Sequence, residues 1–136
     1  MTNVVLDTSA VMAWLQQEPG WEAVGRAFAT ENCRMSAVNL AELVAKSADR
    51  MCDHAELAAM IAELPIEIVP VDKAQAFATG LLRAAIRNPQ SAIRNPGLSL
   101  GDRACLALAK SINAVALTAD EPWLELGIDA RIKCIR

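Results

Sequence analysis

The sequence predicts an α/β fold: a parallel, doubly wound sheet with helices on both faces. Three features carry that expectation. Short apolar runs (VVL at Val4–Leu6, IEIV at Ile66–Val69, AVALT at Ala114–Thr118) are separated by longer segments of helical periodicity. Those segments are long enough for the crossovers that parallel strands require. VVL and AVALT carry no polar residue before their last position, as in strands covered on both faces. With 136 residues, 54% of them hydrophobic, the chain is expected to form one domain, 1–136, around one sizeable core. Aromatics make up 4% and Tyr is absent, which argues against RNA readers that stack bases on an aromatic sheet.

Each element has its own signal. Val4–Leu6 is the first strand, and Ser9–Gln17 is a short helix that stops before Glu18-Pro19-Gly20. Pro19 suits the first turn of the next helix, Pro19–Thr30, in which Trp21, Val24 and Phe28 form an apolar stripe. Cys33–Met35 is a strand, and Ser36 caps the long helix Ala37–Arg50. Asp53, with Glu56 three residues on, resembles a capping box and opens a helix through Leu64. Pro65 ends it, Ile66–Val69 is a strand, and Asp72 to about Arg87 is helical. A polar loop leads to the helix Ser99–Asn113, the strand Ala114–Thr118, the segment EPWLELG, and a last strand, Ala130–Ile135. Trp123 is expected to pack over the end of the sheet.

Several classes are disfavoured. Met1-Thr2-Asn3 runs straight into VVLD without a basic region or cleavage site, unlike a signal peptide. Charged residues interrupt every apolar run before the ~18 residues of a membrane span, so a soluble, cytoplasmic protein is expected. Cys33, Cys52, Cys105 and Cys134 show no C-x-x-C spacing and His54 is the single histidine, which favours buried, reduced thiols over zinc. A net charge of −3 speaks only weakly against a polyanionic partner. Acids gathered around a bound cation would leave the rest of the surface near balance.

Four acids stand in apolar surroundings. In VVLDTSAV, Asp7 follows a buried strand, where ligand sites of open α/β sheets lie; Asp7, Thr8 or Ser9 would equally serve as a helix cap. Glu42 is the only ionisable residue between Arg34 and Lys46. Its spacing to Lys46 fits a surface pair, but Leu40, Leu43 and Val44 around it predict a largely buried carboxylate. Asp102, in LSLGDRACLALA, lies in the first turn of a helix capped by Ser99, where the helix dipole favours an acid whatever its function. Gly101 costs about 1 kcal/mol against alanine inside a helix and implies close approach by another group. Arg103 is expected to face solvent or pair with an acid. AVALTAD repeats the opening pattern with Thr118 and Asp120, or makes a turn before Pro122. Four carboxylates together repel unless a cation joins them, and an all-oxygen, highly anionic set suits Mg2+ or Mn2+. The duplicated AIRNP (Ala85–Pro89, Ala92–Pro96) is a tolerant surface insertion, or a basic lip placing Arg87 and Arg94 against phosphate.

Taken together, Asp7-Thr8-Ser9, Glu42 within NLAEL, Asp102 within LSLGDRA, and Thr118-Ala119-Asp120 resemble in order and surroundings the PIN-domain ribonucleases, and among them the VapC-type toxins of bacterial toxin–antitoxin pairs. The resemblance spans essentially the whole chain. It implies strand order 3-2-1-4-5, an Mg2+-dependent (or Mn2+-dependent) endoribonuclease acting on structured RNA (tRNA or rRNA), and a homodimer. It also implies inhibition by a VapB-like antitoxin whose C-terminal segment crosses the acidic cleft. Carried over position by position, Asp7, Glu42, Asp102 and Asp120 are the catalytic and metal-binding acids, and Ser9 and Thr118 their hydroxyl assistants. Arg87, Arg94 and Arg103 are the candidate substrate contacts. Two other classes compete: a non-catalytic RNA-binding module of the same fold, and a Mg2+-binding receiver-type signalling domain. The receiver needs an acceptor Asp ending a middle strand and a Lys ending the last. Here IEIV ends in Pro70 and Lys133 lies inside the last strand.

Overall fold

The computed structural model describes residues 2–50, 53–86 and 98–136. Its elements are β1 (Asn3–Leu6), α1 (Thr8–Gln16), α2 (Trp21–Thr30), β2 (Asn32–Ser36), α3 (Ala37–Ala48), α4 (His54–Ala62), β3 (Glu67–Val69), α5 (Lys73–Ile86), α6 (Leu100–Ser111), β4 (Val115–Thr118), a 3-10 turn (Glu121–Glu125) and β5 (Arg131–Cys134). The strands align in the order β3-β2-β1-β4-β5 and every pairing is parallel, the order and class expected.

Side chains alternate across a strand, so the all-apolar β1 feeds two cores. Val4 and Leu6 pack with Val11, Val24, Met35 and Leu43 on one face. Val5 packs with Cys105, Leu106, Ala116 and Trp123 on the other. Trp123 is buried, as expected. The edge strands β3 and β5 are short and partly exposed, which limits pairing with other chains.

Some boundaries differ from expectation, each for a local reason. The second helix begins at Trp21 rather than Pro19, because Gly20 takes φ +94 and a Cβ there would overlap the Ile135 carbonyl. That turn needs glycine, and Pro19 stays outside the helix. The first helix starts at Thr8, α3 ends at Ala48, and α4 ends at Ala62, since the residue before Pro65 is pushed away from helical geometry. Cys33 and Cys105 are buried but Cys134 is only partly so. Cys52, Arg87, Arg94 and most of both AIRNP copies lie outside the described residues. Among the described residues no helix is long and apolar enough to cross a membrane.

Parallel strands place all their carboxyl ends along one edge. After β1 the chain winds to β2 on one side, whereas β4 lies on the other, so a crevice opens at the ends of β1 and β4. Helix α3 starts from the same edge after β2. Helix α6, whose last turn feeds β4, has its first turn there too.

Candidate active site

Asp7 follows β1, Asp120 follows β4, and Asp102 lies in the first turn of α6. These three carboxylates offer oxygens that all lie within 4.8 Å of one another. Asp7 is only 3% exposed, Asp102 is intermediate and Asp120 is exposed, so the cluster opens from a buried base towards solvent.

Two readings of Asp7 are separated by its hydrogen bonds. It occupies the N-cap position of α1, yet its carboxylate takes no hydrogen bond from the helix amides. Instead Oδ2 accepts from Ser9 Oγ at 2.7 Å and from Thr118 Oγ1 at 3.1 Å. The two hydroxyls are themselves fixed from behind: Ser9 Oγ accepts the Ala119 N–H at 3.0 Å and Thr118 Oγ1 the Asp120 N–H at 3.1 Å. Ser9 and Thr118 therefore hold the Asp7 carboxylate in place across the β1–β4 seam. Asp102 fills the capping role expected at a helix start and also stands in the carboxylate cluster. Its N–H donates to Ser99 Oγ at 3.1 Å and its Oδ2 accepts the Ser99 N–H at 3.0 Å, a reciprocal cap. The other carboxylate oxygen has no hydrogen bond among the described residues.

Glu42 is partly buried rather than largely buried, because the flank of α3 carrying Val44 faces solvent. Its Oε1, however, is buried without a hydrogen-bond partner, and it fills the space that a Cβ on residue 101 would occupy. Gly101 is the close approach that its cost inside a helix foretold. The surface pair with Lys46 does not form; the ion pairs among the described residues are Arg34–Glu67 and Arg136–Glu18, and neither touches the cluster. Arg103 departs from expectation. It is partly buried between α5 and α6, where Nη1 donates to the Thr79 carbonyl at 3.4 Å and Nε is buried unpaired. The close packing of α5 on α6 draws it inward, so it neither extends into solvent nor pairs with an acid. One residue was missed by sequence reasoning: Asn39, fully buried one turn before Glu42. Its signal was a polar residue inside AVNLAEL, on the helix face that Leu43 buries.

The electrostatics follow from burial. The Asp7 carboxyl is pushed up to about 6, chiefly by burial, opposed by the Ser9 and Thr118 hydrogen bonds and reinforced by Asp102 and Asp120. Burial also raises Asp102, against the Ser99 hydrogen bonds that lower it, and raises Glu42, where the Lys46 charge opposes and Asp102 adds. Below them Cys105 is fully buried, which together with the charges of Asp7, Asp102 and Glu42 holds its thiol well above the ordinary range and leaves it unreactive. A raised folded-state pKa on an acid means that the folded protein holds a proton the unfolded chain has lost. Between pH 4 and 6 stability therefore falls as pH rises through the Asp7 pKa of about 6, measured from the ordinary 3.8. The metal-free protein is expected to melt higher at pH 5 than at pH 7.5, and Asp7→Asn should remove much of that slope; a flat profile in the wild type would contradict it.

The PIN domain family profile matches residues 4–128. The chain belongs to the PIN-domain family. No curated protein matches the sequence. Solved structures similar to this PIN domain include a toxin–antitoxin complex from Klebsiella pneumoniae, with TM-score 0.73 and 14% identity over 98% of each chain. DNA-bound VapBC from Salmonella typhimurium has TM-score 0.72 and 18% identity over the full length of both chains. Mycobacterium tuberculosis VapC20, described as a sarcin–ricin loop cleaving toxin, has TM-score 0.67 and 16% identity over 94% of this chain and 98% of that one. At such identities the likeness is one of fold.

The PIN domain's acids fit a divalent cation on their own chemistry. Among the described residues, three carboxylates converge without a cationic side chain bonded to them, and a fourth presents a buried oxygen with no donor. Hard oxygen donors of this kind suit Mg2+ or Mn2+. Asp7, Asp102 and Asp120 would hold the ion directly, with Glu42 at the flank beside Gly101.

Proposed function

We propose that this chain, as one PIN domain over residues 1–136, is a Mg2+- or Mn2+-dependent endoribonuclease of the cytoplasm, the toxin of a toxin–antitoxin pair, cleaving structured RNA such as tRNA or rRNA. The observation that carries the reading is the Asp7–Asp102–Asp120 cluster at the crevice between β1 and β4, with its most buried member clamped by two hydroxyls. The structural neighbours support it: several are toxin–antitoxin complexes and one is described as cleaving the sarcin–ricin loop.

A divalent cation bound by these acids supplies Lewis-acid stabilisation of the charge that develops on a phosphodiester and lowers the pKa of water. The chain does the rest. Asp7 provides the fixed, partly desolvated anchor, and Ser9 and Thr118 restrict its carboxylate to one orientation. Ser99 does the same for Asp102 through the reciprocal cap. Asp120, the exposed member, stands at the mouth where substrate enters. Arg87 and Arg94 are assigned to phosphate; Arg103, held between α5 and α6, is not. His54, on α4, is exposed and remote in sequence from all four acids, so proton handling falls to carboxylates and water.

The test is cleavage of total structured RNA by the purified, antitoxin-free chain with Mg2+ or Mn2+, against EDTA and against Asp102→Asn. Discrete cuts that vanish in EDTA and in the variant are expected, while His54→Ala should cut at the wild-type rate. Loss of all activity in His54→Ala would sink the metal reading in favour of a histidine mechanism. A folded protein that cuts nothing with either metal would favour the non-catalytic module.

The reading includes two protein partners. A VapB-like antitoxin is expected to cover the acidic crevice with its C-terminal segment. A homodimer is expected as well, and Phe77 and Leu81 on α5, 69% and 56% exposed, offer an apolar face for it. Sedimentation equilibrium at micromolar concentration should give twice the chain mass; a monomer would remove the dimer.

A further inference from the structure

Asn39 has no place in the mechanism above, yet it touches every segment that delivers a buried or partly buried acid. It is 0% exposed and shares the buried stripe of α3 with Leu43 and Ser47, where an apolar residue would ordinarily stand. Its Nδ2 donates to the Gly101 carbonyl at 3.0 Å, next to Asp102. Its own backbone carbonyl accepts from Thr8 Oγ1 at 3.0 Å, next to Asp7. Glu42 lies one turn further along the same helix, and its carboxylate closes on the same Gly101. Asn39 Oδ1 and Glu42 Oε1 are both buried acceptors without a donor. An unpaired buried amide oxygen is a poor choice for stability alone, since leucine would fill the volume and leave nothing unpaired.

We propose that Asn39 is the positioning residue of this site: its amide pins α3 to the first turn of α6 so that Glu42 is held over Gly101 beside the three aspartates, as a further oxygen for the cation. The assignment rests on the reading of the cluster as a metal centre. It predicts that Asn39 acts on the metal only through Glu42.

The experiment is calorimetric titration of Mn2+ into the metal-free full chain, as wild type, Asn39→Leu, Glu42→Gln and the double variant, with melting temperatures measured alongside. Asn39→Leu is expected to weaken Mn2+ binding about 10–100-fold, the usual effect of losing a group that orients a ligand, while melting close to the wild type. The double variant should bind no more weakly than Glu42→Gln alone, because both changes remove one carboxylate from the site. Unchanged affinity in Asn39→Leu, or losses that multiply in the double variant, would overturn the assignment. If Asn39→Leu does not fold, Asn39→Ala takes its place; a chain that unfolds with both makes Asn39 a fold residue and overturns the assignment too. A folded wild type that binds no Mn2+ removes the metal reading itself, and the role of Asn39 with it, a result seen before any variant is compared.

Discussion

Asp7→Asn is expected to reduce metal-dependent RNA cleavage by more than about a hundredfold, beyond the 10–100-fold usual for losing a residue that only supports a ligand. The same substitution is expected to raise the melting temperature of the metal-free protein. Both effects have one origin. The Asp7 carboxylate is buried beside Asp102 and Asp120, and its pKa stands at about 6 instead of 3.8. At about 1.4 kcal/mol per unit, that displacement corresponds to a destabilisation on the order of 2–3 kcal/mol at neutral pH. Asparagine keeps the shape, and its amide oxygen still accepts from Ser9 and Thr118, but the charge is gone. A rise of several degrees is expected without metal. Added Mg2+ should then stabilise the wild type and leave the variant unmoved, because only a chain that binds the ion gains from it. Cleavage at the wild-type rate would take Asp7 out of the mechanism. A variant that melts well below the wild type would show that Asp7 is there for the fold.

Gly101→Ala should separate stability from function in the opposite way to most helix substitutions. Inside an ordinary helix the change gains about 1 kcal/mol. Here the new Cβ would overlap Glu42 Oε1, the far end of a flexible side chain, so Glu42 can swing out and the helices need not move. The expected outcome is a melting temperature at or above that of the wild type with cleavage and Mn2+ affinity lowered about 10–100-fold, as in Glu42→Gln. Unimpaired cleavage would mean that the placement of Glu42 over Gly101 is irrelevant to the chemistry.

The strands were legible because β1 and β4 are buried on both faces, and two-sided burial writes itself as an unbroken apolar run. The acids at their ends were legible for the same reason, since a lone carboxylate after such a run is conspicuous. What the sequence could not separate was the cap from the ligand at Asp7. That depended on whether Oδ2 finds a helix amide or the hydroxyl of Thr118, 111 positions away. At Asp102 the two readings proved compatible, because a reciprocal cap uses one oxygen and leaves the other. Pro19 misled for a tertiary reason: the approach of Ile135 to Gly20 fixes that turn, and no local pattern reports a contact with the far end of the chain. Asn39 escaped notice because a single polar residue near a helix start reads as solvated. Only the position of Gly101, in a different helix, shows that its amide has a buried partner.

The clamp on Asp7 joins the first strand to the fourth, and it bears on when the acidic cluster is assembled during synthesis. Asp7 and Ser9 leave the ribosome well before Thr118, 111 positions after Asp7, and before Ala119 and Asp120. Until β4 has emerged and inserted beside β1, the Asp7 carboxylate has neither its second hydroxyl nor its exposed neighbour Asp120. The three-aspartate cluster is therefore incomplete in a nascent chain that ends before β4. Its assembly waits on one step, the pairing of β4 with β1.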